Sequence, residues 1–114
     1  MVDIVGYEGL YAITPCGKVW SYRRNRFMKF AYDGWGYYRA ALTKEGKTTF
    51  KYIHRLVAEA YIPNPSNYPQ VNHKDEDKSN NRLSNLEWCT MRYNANYGTK
   101  VKRMLKNRKK ETKK

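Results

Sequence analysis

Short stretches of alternating polar and apolar residues, separated by glycines, make up the first 53 positions of the chain. In residues 38–42, Tyr38, Ala40 and Leu42 fall on one face, since successive side chains of a strand point to opposite sides. The sequence KEGK at 44–47 has the composition of a hairpin turn and leads into TTFKYI. These patterns predict a small antiparallel β element in the N-terminal part of the chain.

The period of the apolar residues changes after this element. They recur at i, i+3, i+4, i+7 and i+8, as Ile53, Leu56, Val57, Ala60 and Tyr61. This spacing predicts an amphipathic helix over residues 54–62 with one buried stripe. Pro63 and Pro65 end the helix, and residues 63–70 (PNPSNYPQ) are predicted to be an extended connector.

Beyond the connector the pattern predicts a strand, a polar loop, a second strand and a helix. Their expected bounds are 70–73, 74–84, 86–90 and about 91–97, with Gly98 as the helix stop. Residues 99–114 would either form a further helix or lack regular structure. The expected fold class is therefore α+β, with an N-terminal antiparallel β element and helix followed by a strand–strand–helix unit and a basic tail.

The composition is that of a small soluble protein. Its 114 residues fit one domain, and eleven tyrosines supply much of its aromatic content. No apolar run reaches the length of a membrane helix and MVDIVGYEG lacks a secretion signal, so we expect a cytoplasmic protein without a membrane partner. Cys16 and Cys89 are too few for a four-cysteine zinc site; free thiols are expected, with a disulfide between them as the alternative.

Positive charge is concentrated at the C-terminal end. The formal net charge is +13, and residues 99–114 carry nine Lys or Arg against one Glu. This balance indicates a nucleic-acid partner, although a solvated tail that only aids solubility would have the same composition. The predicted contacts to double-stranded DNA are Arg23, Arg24, Arg26 and Arg92 in the body, and Lys100, Lys102, Arg103, Lys106 and Arg108 in the tail.

A single histidine stands among asparagines in residues 71–94. His73 ends the first of the two predicted strands, Asn85 opens the second, and Asn94 lies one turn into the predicted helix. In an antiparallel hairpin followed by a helix these three positions can meet at one end. Asn72 would point to the other side of its strand.

These residue types suit phosphodiester hydrolysis, which needs a base for the attacking water and an electrophile at the leaving oxygen. His73 suits the first task, because a histidine ordinarily titrates at about pH 6.5. A hard divalent cation suits the second, and Asn72 and Asn94 offer amide oxygens as its ligands. Asn85 would hold the imidazole in the required tautomer. Because two neutral ligands bind an ion weakly, we expect metal and DNA to bind cooperatively.

The segment VNHKDEDKSNNRLSNLEWCTMRYN resembles the HNH endonuclease motif, in the variant found in phage-type and intron-type homing endonucleases. The shared pattern is asparagine–histidine, a D-x-x-K-x-N-N loop, N-L-E-W and a final asparagine. The preceding HRLVAEAYIPNP is similar to the helix that leads into this motif, and GYEGLYAITPCGKVWS at 6–21 resembles a modular element that accompanies such nucleases. Together these matches cover most of residues 5–97.

The resemblance implies a ββα-metal fold that cuts DNA with one Mg²⁺ or Mn²⁺ ion per active site. By position, His73 matches the general base, Asn72 and Asn94 the metal ligands, and Asn85 the residue that orients the base. Asn72 departs from the aspartate common in relatives, which lowers the expected metal affinity, and Glu76 stands where glycine is usual. The expected division of the chain is a β-rich nuclease-associated element at 1–53, a helix with the nuclease core at 54–98, and a basic tail at 99–114.

Several other residues have structural interpretations. His54 opens the predicted helix, where a role as a cap or as a hydrogen-bonding group of the hairpin is favoured over one in catalysis, for which it is a secondary candidate. Asp75 and Asp77 resemble a fragment of a calcium loop but lack the twelve-residue ligand pattern. Packing is the expectation for the aromatic residues of this half, Trp88, Tyr93 and Tyr97.

The sequence thus predicts a divalent-metal-dependent DNA endonuclease of phage or mobile-element origin. A DNA-binding protein on an inactive nuclease scaffold, with Asn72 as the lesion, is the first alternative. An RNA-binding protein that stacks bases on its tyrosines is the second. One chain offers one active site, so a double-strand break would require a homodimer or two successive nicks.

Overall fold

The computed structural model describes residues 1–97. Its first four strands form an antiparallel sheet in chain order: β1 (Val2–Asp3), β2 (Tyr11–Ile13), β3 (Val19–Ser21) and β4 (Arg26–Phe27). The turn between β2 and β3 contains Gly17, whose φ is +89°. A Cβ added there would come within 3.0 Å of the Cβ of Asn81, so only glycine lets this turn approach the C-terminal half so closely.

The second sheet confirms the predicted hairpin. Its strands are β5 (Ala31–Tyr32), β6 (Tyr38–Lys44) and β7 (Lys47–Tyr52), paired antiparallel in chain order. Glu45 and Gly46 form the two-residue turn between β6 and β7, with φ of +52° and +77°. Two successive positive φ angles are the requirement of a type I′ turn, whose twist matches that of the strands it joins.

Helix α1 (Ile53–Tyr61) begins one residue before the predicted start and ends one residue before the predicted end. Ile53, Leu56 and Val57 are buried as predicted. Ala58 is buried as well, whereas Ala60 and Tyr61 are only half-buried, so the prediction was wrong at these positions. Ala58 is buried because α1 lies against strands of both sheets and of the C-terminal half. Ala60 and Tyr61 pack against the core without being fully enclosed.

The C-terminal half contains the predicted strand–strand–helix unit. Strand β8 (Gln70–His73) has the predicted bounds and pairs antiparallel with β9 (Leu86–Cys89), and the short helix α2 (Met91–Ala95) follows. A 3-10 turn (Leu83–Asn85) precedes β9. Strand β9 stops one residue early because Thr90 caps α2, its Oγ1 accepting from the N–H of Tyr93 at 3.1 Å. Gly98 and residues 99–114 lie outside the described part of the chain.

The aromatic residues of this half pack to different extents. Trp88 is half-buried, joins the core, and donates from Nε1 to the carbonyl oxygen of Ile62 at 3.0 Å. Tyr97 is half-buried, and its hydroxyl donates to the carbonyl oxygen of Lys74 at 2.8 Å. Tyr93 is 47% exposed, so its packing is largely limited to the Tyr97 ring, 5.6 Å away between centroids.

One cluster of buried apolar side chains joins the N-terminal strands to the C-terminal half. Ile13 comes from the first sheet, Leu42 from the second, Val57 from α1, and Val71 and Leu86 from β8 and β9. Residues on both sides of the expected boundary at position 53 therefore share one hydrophobic core.

The two cysteines are apart, as expected. Cys16 is exposed, Cys89 is buried, and no disulfide joins them. Within residues 1–97, no helix combines the length and the apolar character that crossing a membrane requires.

Candidate active site

Strand β8 places Asn72 and His73 at successive positions, so their side chains leave the strand on opposite faces. Both are buried, with exposed fractions of 1% and 6%. In the register of the hairpin, Asn72 lies opposite Glu87 and His73 lies opposite Leu86. The two candidate residues thus face different surroundings although they are neighbours in the chain.

The side chain of Asn72 is held at one end only. Its Nδ2 donates to Oε2 of Glu87 at 2.8 Å, while its Oδ1 is buried and has no hydrogen-bond partner among residues 1–97. An unsatisfied buried oxygen of this kind costs about 1–3 kcal/mol, so a folded protein rarely keeps one without a reason. A carboxamide oxygen is an acceptable ligand for Mg²⁺ or Mn²⁺, and an ion at this oxygen would satisfy it.

Asn94 lies on α2, which packs against β8. The helix that carries Asn94 therefore lies against the strand that carries Asn72. Within residues 1–97, no three His, Cys, Asp or Glu side chains are grouped closely enough to hold a metal ion. An ion at Asn72 and Asn94 would be of a different kind, held by amide oxygens.

The imidazole of His73 contacts Asn81. The Nε2 atom of His73 lies 2.8 Å from the buried Oδ1 of Asn81. Because an amide oxygen only accepts hydrogen bonds, this contact places the proton on Nε2 and makes Nδ1 the basic nitrogen of the neutral ring. The residue that fixes the tautomer is thus Asn81.

Asn85 was predicted to make that contact, and the structure differs. Its Oδ1 accepts from the backbone N–H of Asp75 at 3.0 Å, and its Nδ2 donates to Oδ1 of Asp75 and to the carbonyl oxygen of Asn80, both at 2.9 Å. The reason is that Asn85 lies in the 3-10 turn before β9 rather than in the strand, so its side chain points into the loop. Its bonds hold the loop that connects β8 to β9.

The carboxylates of this loop also serve its conformation. Oδ1 of Asp75 accepts from the N–H of Asp77, and Oδ2 accepts from the amide of Asn80, each at 2.8 Å. The hydrogen bond from Asn80, followed by that from the Asp77 N–H, lowers the pKa of Asp75. Oδ1 of Asp77 accepts from Ser79 in the same way. These contacts make Asp75 and Asp77 part of a hydrogen-bonded turn.

Glu76 adopts a φ of +64°. This left-handed conformation is one that a glycine adopts without strain, because a glycine has no Cβ to hinder it. The turn forms here with a glutamate instead.

His54 is a neighbour of His73, with ring centroids 5.1 Å apart. Tyr37 and Tyr52 stack around it at 5.1 and 5.5 Å. Burial, and after it repulsion from His73, lowers the pKa of His54 from 6.5 to about 3, so this ring is neutral at physiological pH. Of the two structural roles expected of His54, that of helix cap is not observed, since Tyr52 is the N-cap residue and makes no side-chain hydrogen bond there. No local pattern of residues indicates that the two histidines meet.

The predicted DNA contacts of the body are all on the surface. Arg23, Arg24 and Arg26 are exposed at the turn between β3 and β4, and Arg24, Arg26 and Lys29 line a groove of about 280 Å³. Arg92 is exposed on α2, the helix that carries Asn94. The predicted tail contacts lie outside the described residues: Lys100, Lys102, Arg103, Lys106 and Arg108.

Comparison with known proteins gives consistent matches. The model of the HNH endonuclease family matches residues 51–96. An uncharacterized HNH endonuclease of Acanthamoeba polyphaga mimivirus, L245, is 44% identical over 92 residues, which cover 81% of this chain and 28% of that protein. The DNA endonuclease I-HmuI of Bacillus phage SP01 is 38% identical over 93 residues, covering 82% of this chain and 53% of the relative.

A solved structure that describes DNA binding and cleavage by the HNH homing endonuclease I-HmuI has the same fold over most of this chain. Its TM-score is 0.77 at 33% sequence identity, and the match covers 91% of this chain and 64% of that one. The chain spans 28% and 53% of the lengths of the two relatives. The predicted α+β fold with its strand–strand–helix unit is confirmed.

Proposed function

The chain belongs to the HNH endonuclease family, and on that premise we propose that it is a divalent-metal-dependent DNA endonuclease with His73 as its general base. One observation carries the proposal. The adjacent residues Asn72 and His73 are both buried, one with an unsatisfied oxygen and the other with a fixed tautomer. Phosphodiester hydrolysis requires a base and an electrophile. His73 would be the base, and an ion held by Asn72 on the other side of the strand would be the electrophile.

The base acts through the nitrogen that Asn81 leaves unprotonated. Nδ1 of His73 takes a proton from the attacking water, and the ring becomes an imidazolium whose Nε2–H still donates to Oδ1 of Asn81. The contact is thus made in both protonation states, so no rearrangement is needed during proton transfer. Asn85 supports this step indirectly by holding the loop that contains Asn81.

The carboxamide oxygens of Asn72 and Asn94 would hold one Mg²⁺ or Mn²⁺ ion. When bound, such an ion stabilises the negative charge that develops on the leaving oxygen. Glu87 orients the ligand, because its acceptance of the Nδ2 hydrogen bond fixes which end of the Asn72 amide faces away from the carboxylate. Relatives commonly have an aspartate at the position of Asn72. In this chain Glu87, which is hydrogen-bonded to Asn72, supplies a negative charge close to that position.

Double-stranded DNA is the proposed substrate. The exposed arginines of the β3–β4 turn and of α2 provide cations for phosphates on the body of the protein. I-HmuI, which is named a DNA endonuclease, and the solved structure of its DNA binding and cleavage support this choice. The phage and viral sources of the relatives support a phage or mobile-element origin.

A plasmid assay tests the proposal. Purified protein incubated with supercoiled plasmid and Mg²⁺ or Mn²⁺ should produce the nicked form, and EDTA should stop the reaction. A single chain should nick one strand, and linear product that forms without a preceding nicked intermediate would indicate a homodimer that cuts both strands together. Undiminished cutting in EDTA would contradict the role of the ion.

The second candidate function is DNA binding without cleavage. The neutral Asn72, where relatives often have aspartate, favours it because a weaker ion site lowers turnover. Retarded migration of duplex DNA with no nicking under either metal would support this candidate over the endonuclease.

A further inference from the structure

One tryptophan projects into solvent on a loop next to the candidate active site. Trp35 is 79% exposed, the highest value among the exposed large hydrophobic side chains of residues 1–97. The other two tryptophans of the chain, Trp20 and Trp88, are half-buried. An indole has more apolar surface to bury than most other side chains, so its full exposure requires an explanation.

The loop that carries Trp35 has a defined conformation. Oδ1 of Asp33 accepts hydrogen bonds from the backbone N–H groups of Trp35 at 2.7 Å and of Tyr37 at 3.1 Å. Gly34 and Gly36, on either side of Trp35, have φ angles of +88° and +101°, which side chains rarely tolerate. The loop therefore presents the indole outward by its own hydrogen bonds.

Lys78 ties this loop to the loop between β8 and β9. Its Nζ donates to the carbonyl oxygen of Trp35 at 3.0 Å and lies 4.7 Å from the centre of the Tyr37 ring. The Tyr37 ring in turn lies 6.1 Å from that of His73. A Cβ at Gly36 would come within 2.7 Å of Cδ of Lys78, so a larger residue here would require the lysine side chain to shift. Trp35 is thus two residues from Tyr37, whose ring is next to His73, the candidate general base.

We propose that the indole of Trp35 stacks on a DNA base next to the cleaved bond, an inference that rests on the proposed endonuclease function. Every base has a flat apolar face, so an exposed aromatic side chain binds it without reading the sequence. Aromatic and apolar side chains that enter a base step also unstack it and bend the duplex. The Lys78 ammonium, which donates to the carbonyl oxygen of Trp35, supplies a cation for the neighbouring phosphate.

Indole fluorescence of the full chain tests the assignment. A short random-sequence duplex is added to the protein in EDTA, which prevents cleavage, and stacking on a base quenches the emission. We expect Trp35→Phe to remove most of the quenching and Trp35→Ala to weaken binding about 10-fold. Val5→Ala is the matched control, since Val5 is 71% exposed in a turn of the N-terminal sheet, and it should bind and quench like the unaltered protein.

Two further outcomes are decisive. Quenching that persists in Trp35→Phe, or a DNA affinity of Trp35→Ala equal to that of Val5→Ala, overturns the assignment. Emission that changes with protein concentration in the absence of DNA indicates self-association through Trp35 and overturns it too.

A different variant separates this inference from the proposed function. His73→Ala retains Trp35, so it should show full quenching while it fails to nick plasmid. Nicking by His73→Ala would contradict the proposed function, whereas the fluorescence of the Trp35 variants is measured without any cleavage.

Discussion

The Nε2 atom of His73 and the Oδ1 atom of Asn81 lie 2.8 Å apart, and both side chains are buried. This contact decides which nitrogen of the candidate base is protonated, and it comes from a loop asparagine rather than from the asparagine of the second strand. Variants of the asparagines and histidines around this contact distinguish their roles.

Asn81→Ala should slow plasmid nicking about 10- to 100-fold, because the imidazole loses the partner that fixes its tautomer. The affinity for DNA should stay the same, so the loss should appear in kcat and not in KM. Asn96→Ala, which removes an exposed amide from the end of α2, is the control and should nick at the normal rate. Equal kcat values for the two variants would remove Asn81 from the mechanism.

His73→Ala should reduce nicking at least about 100-fold, the usual contribution of a general base. A gel shift with duplex DNA should be unchanged, since the predicted phosphate contacts lie elsewhere on the surface. Thermal unfolding of the variant shows whether it is folded. Nicking at the normal rate by the folded variant would exclude His73 as the base.

Asn72→Asp should lower the Mg²⁺ concentration for half-maximal nicking about 10-fold, because a charged ligand replaces a neutral one. In the absence of metal the same variant should be less stable, since the new carboxylate would face that of Glu87. Asn72→Leu, which has a similar size and no oxygen, should lose metal-dependent nicking. A metal requirement identical in Asn72→Asp and the unaltered protein would argue against an ion at this position.

Asn85→Ala should lower the free energy of unfolding by about 2–3 kcal/mol, because three hydrogen bonds of its buried side chain are lost. Urea denaturation gives this value, and limited proteolysis should cut within residues 74–84 more readily. A variant of normal stability that no longer nicks would instead support the direct catalytic role first predicted for Asn85.

The low pKa of His54 should make stability depend on pH. The unfolded chain binds the proton near pH 6.5 whereas the folded chain does so only near pH 3, so the free energy of unfolding decreases as the pH falls between these values. From pH 7 to pH 5 the loss should be about 1–2 kcal/mol, allowing for the partial exposure of the ring.

His54→Phe keeps an aromatic ring in the cluster and cannot be protonated. Its free energy of unfolding, measured by urea denaturation, should therefore fall less between pH 7 and pH 5 than that of the unaltered protein. Parallel curves for the two proteins would show that His54 is not held neutral.

The local elements were predictable because each is determined by nearby residues. Strand β8 has the predicted bounds, the Glu45–Gly46 turn has the conformation that its residues favour, and α1 is displaced by a single residue at each end. The identity of the motif followed from the order of its residues, which the family match confirms.

The contacts of the site were less predictable, since they depend on how loops are directed in space. Periodicity describes strands and helices, and it contains no information on the path of residues 74–84. The 3-10 turn reorients Asn85, and Asn81 of the preceding loop contacts the imidazole instead. The approach of His54 to His73 is set by the packing of α1 against β8 and had no local signal.

The close fit of Gly17 against Asn81 has a consequence for protein engineering. The backbone N–H of Leu83 also donates to the carbonyl oxygen of Pro15 at 2.7 Å, so the β2–β3 turn braces the segment behind the imidazole. A chimaera in which a different module replaced the N-terminal sheet would lose this support of the segment behind the imidazole. Such a chimaera should fold correctly only when the new module has a turn with glycine at the position that contacts Asn81.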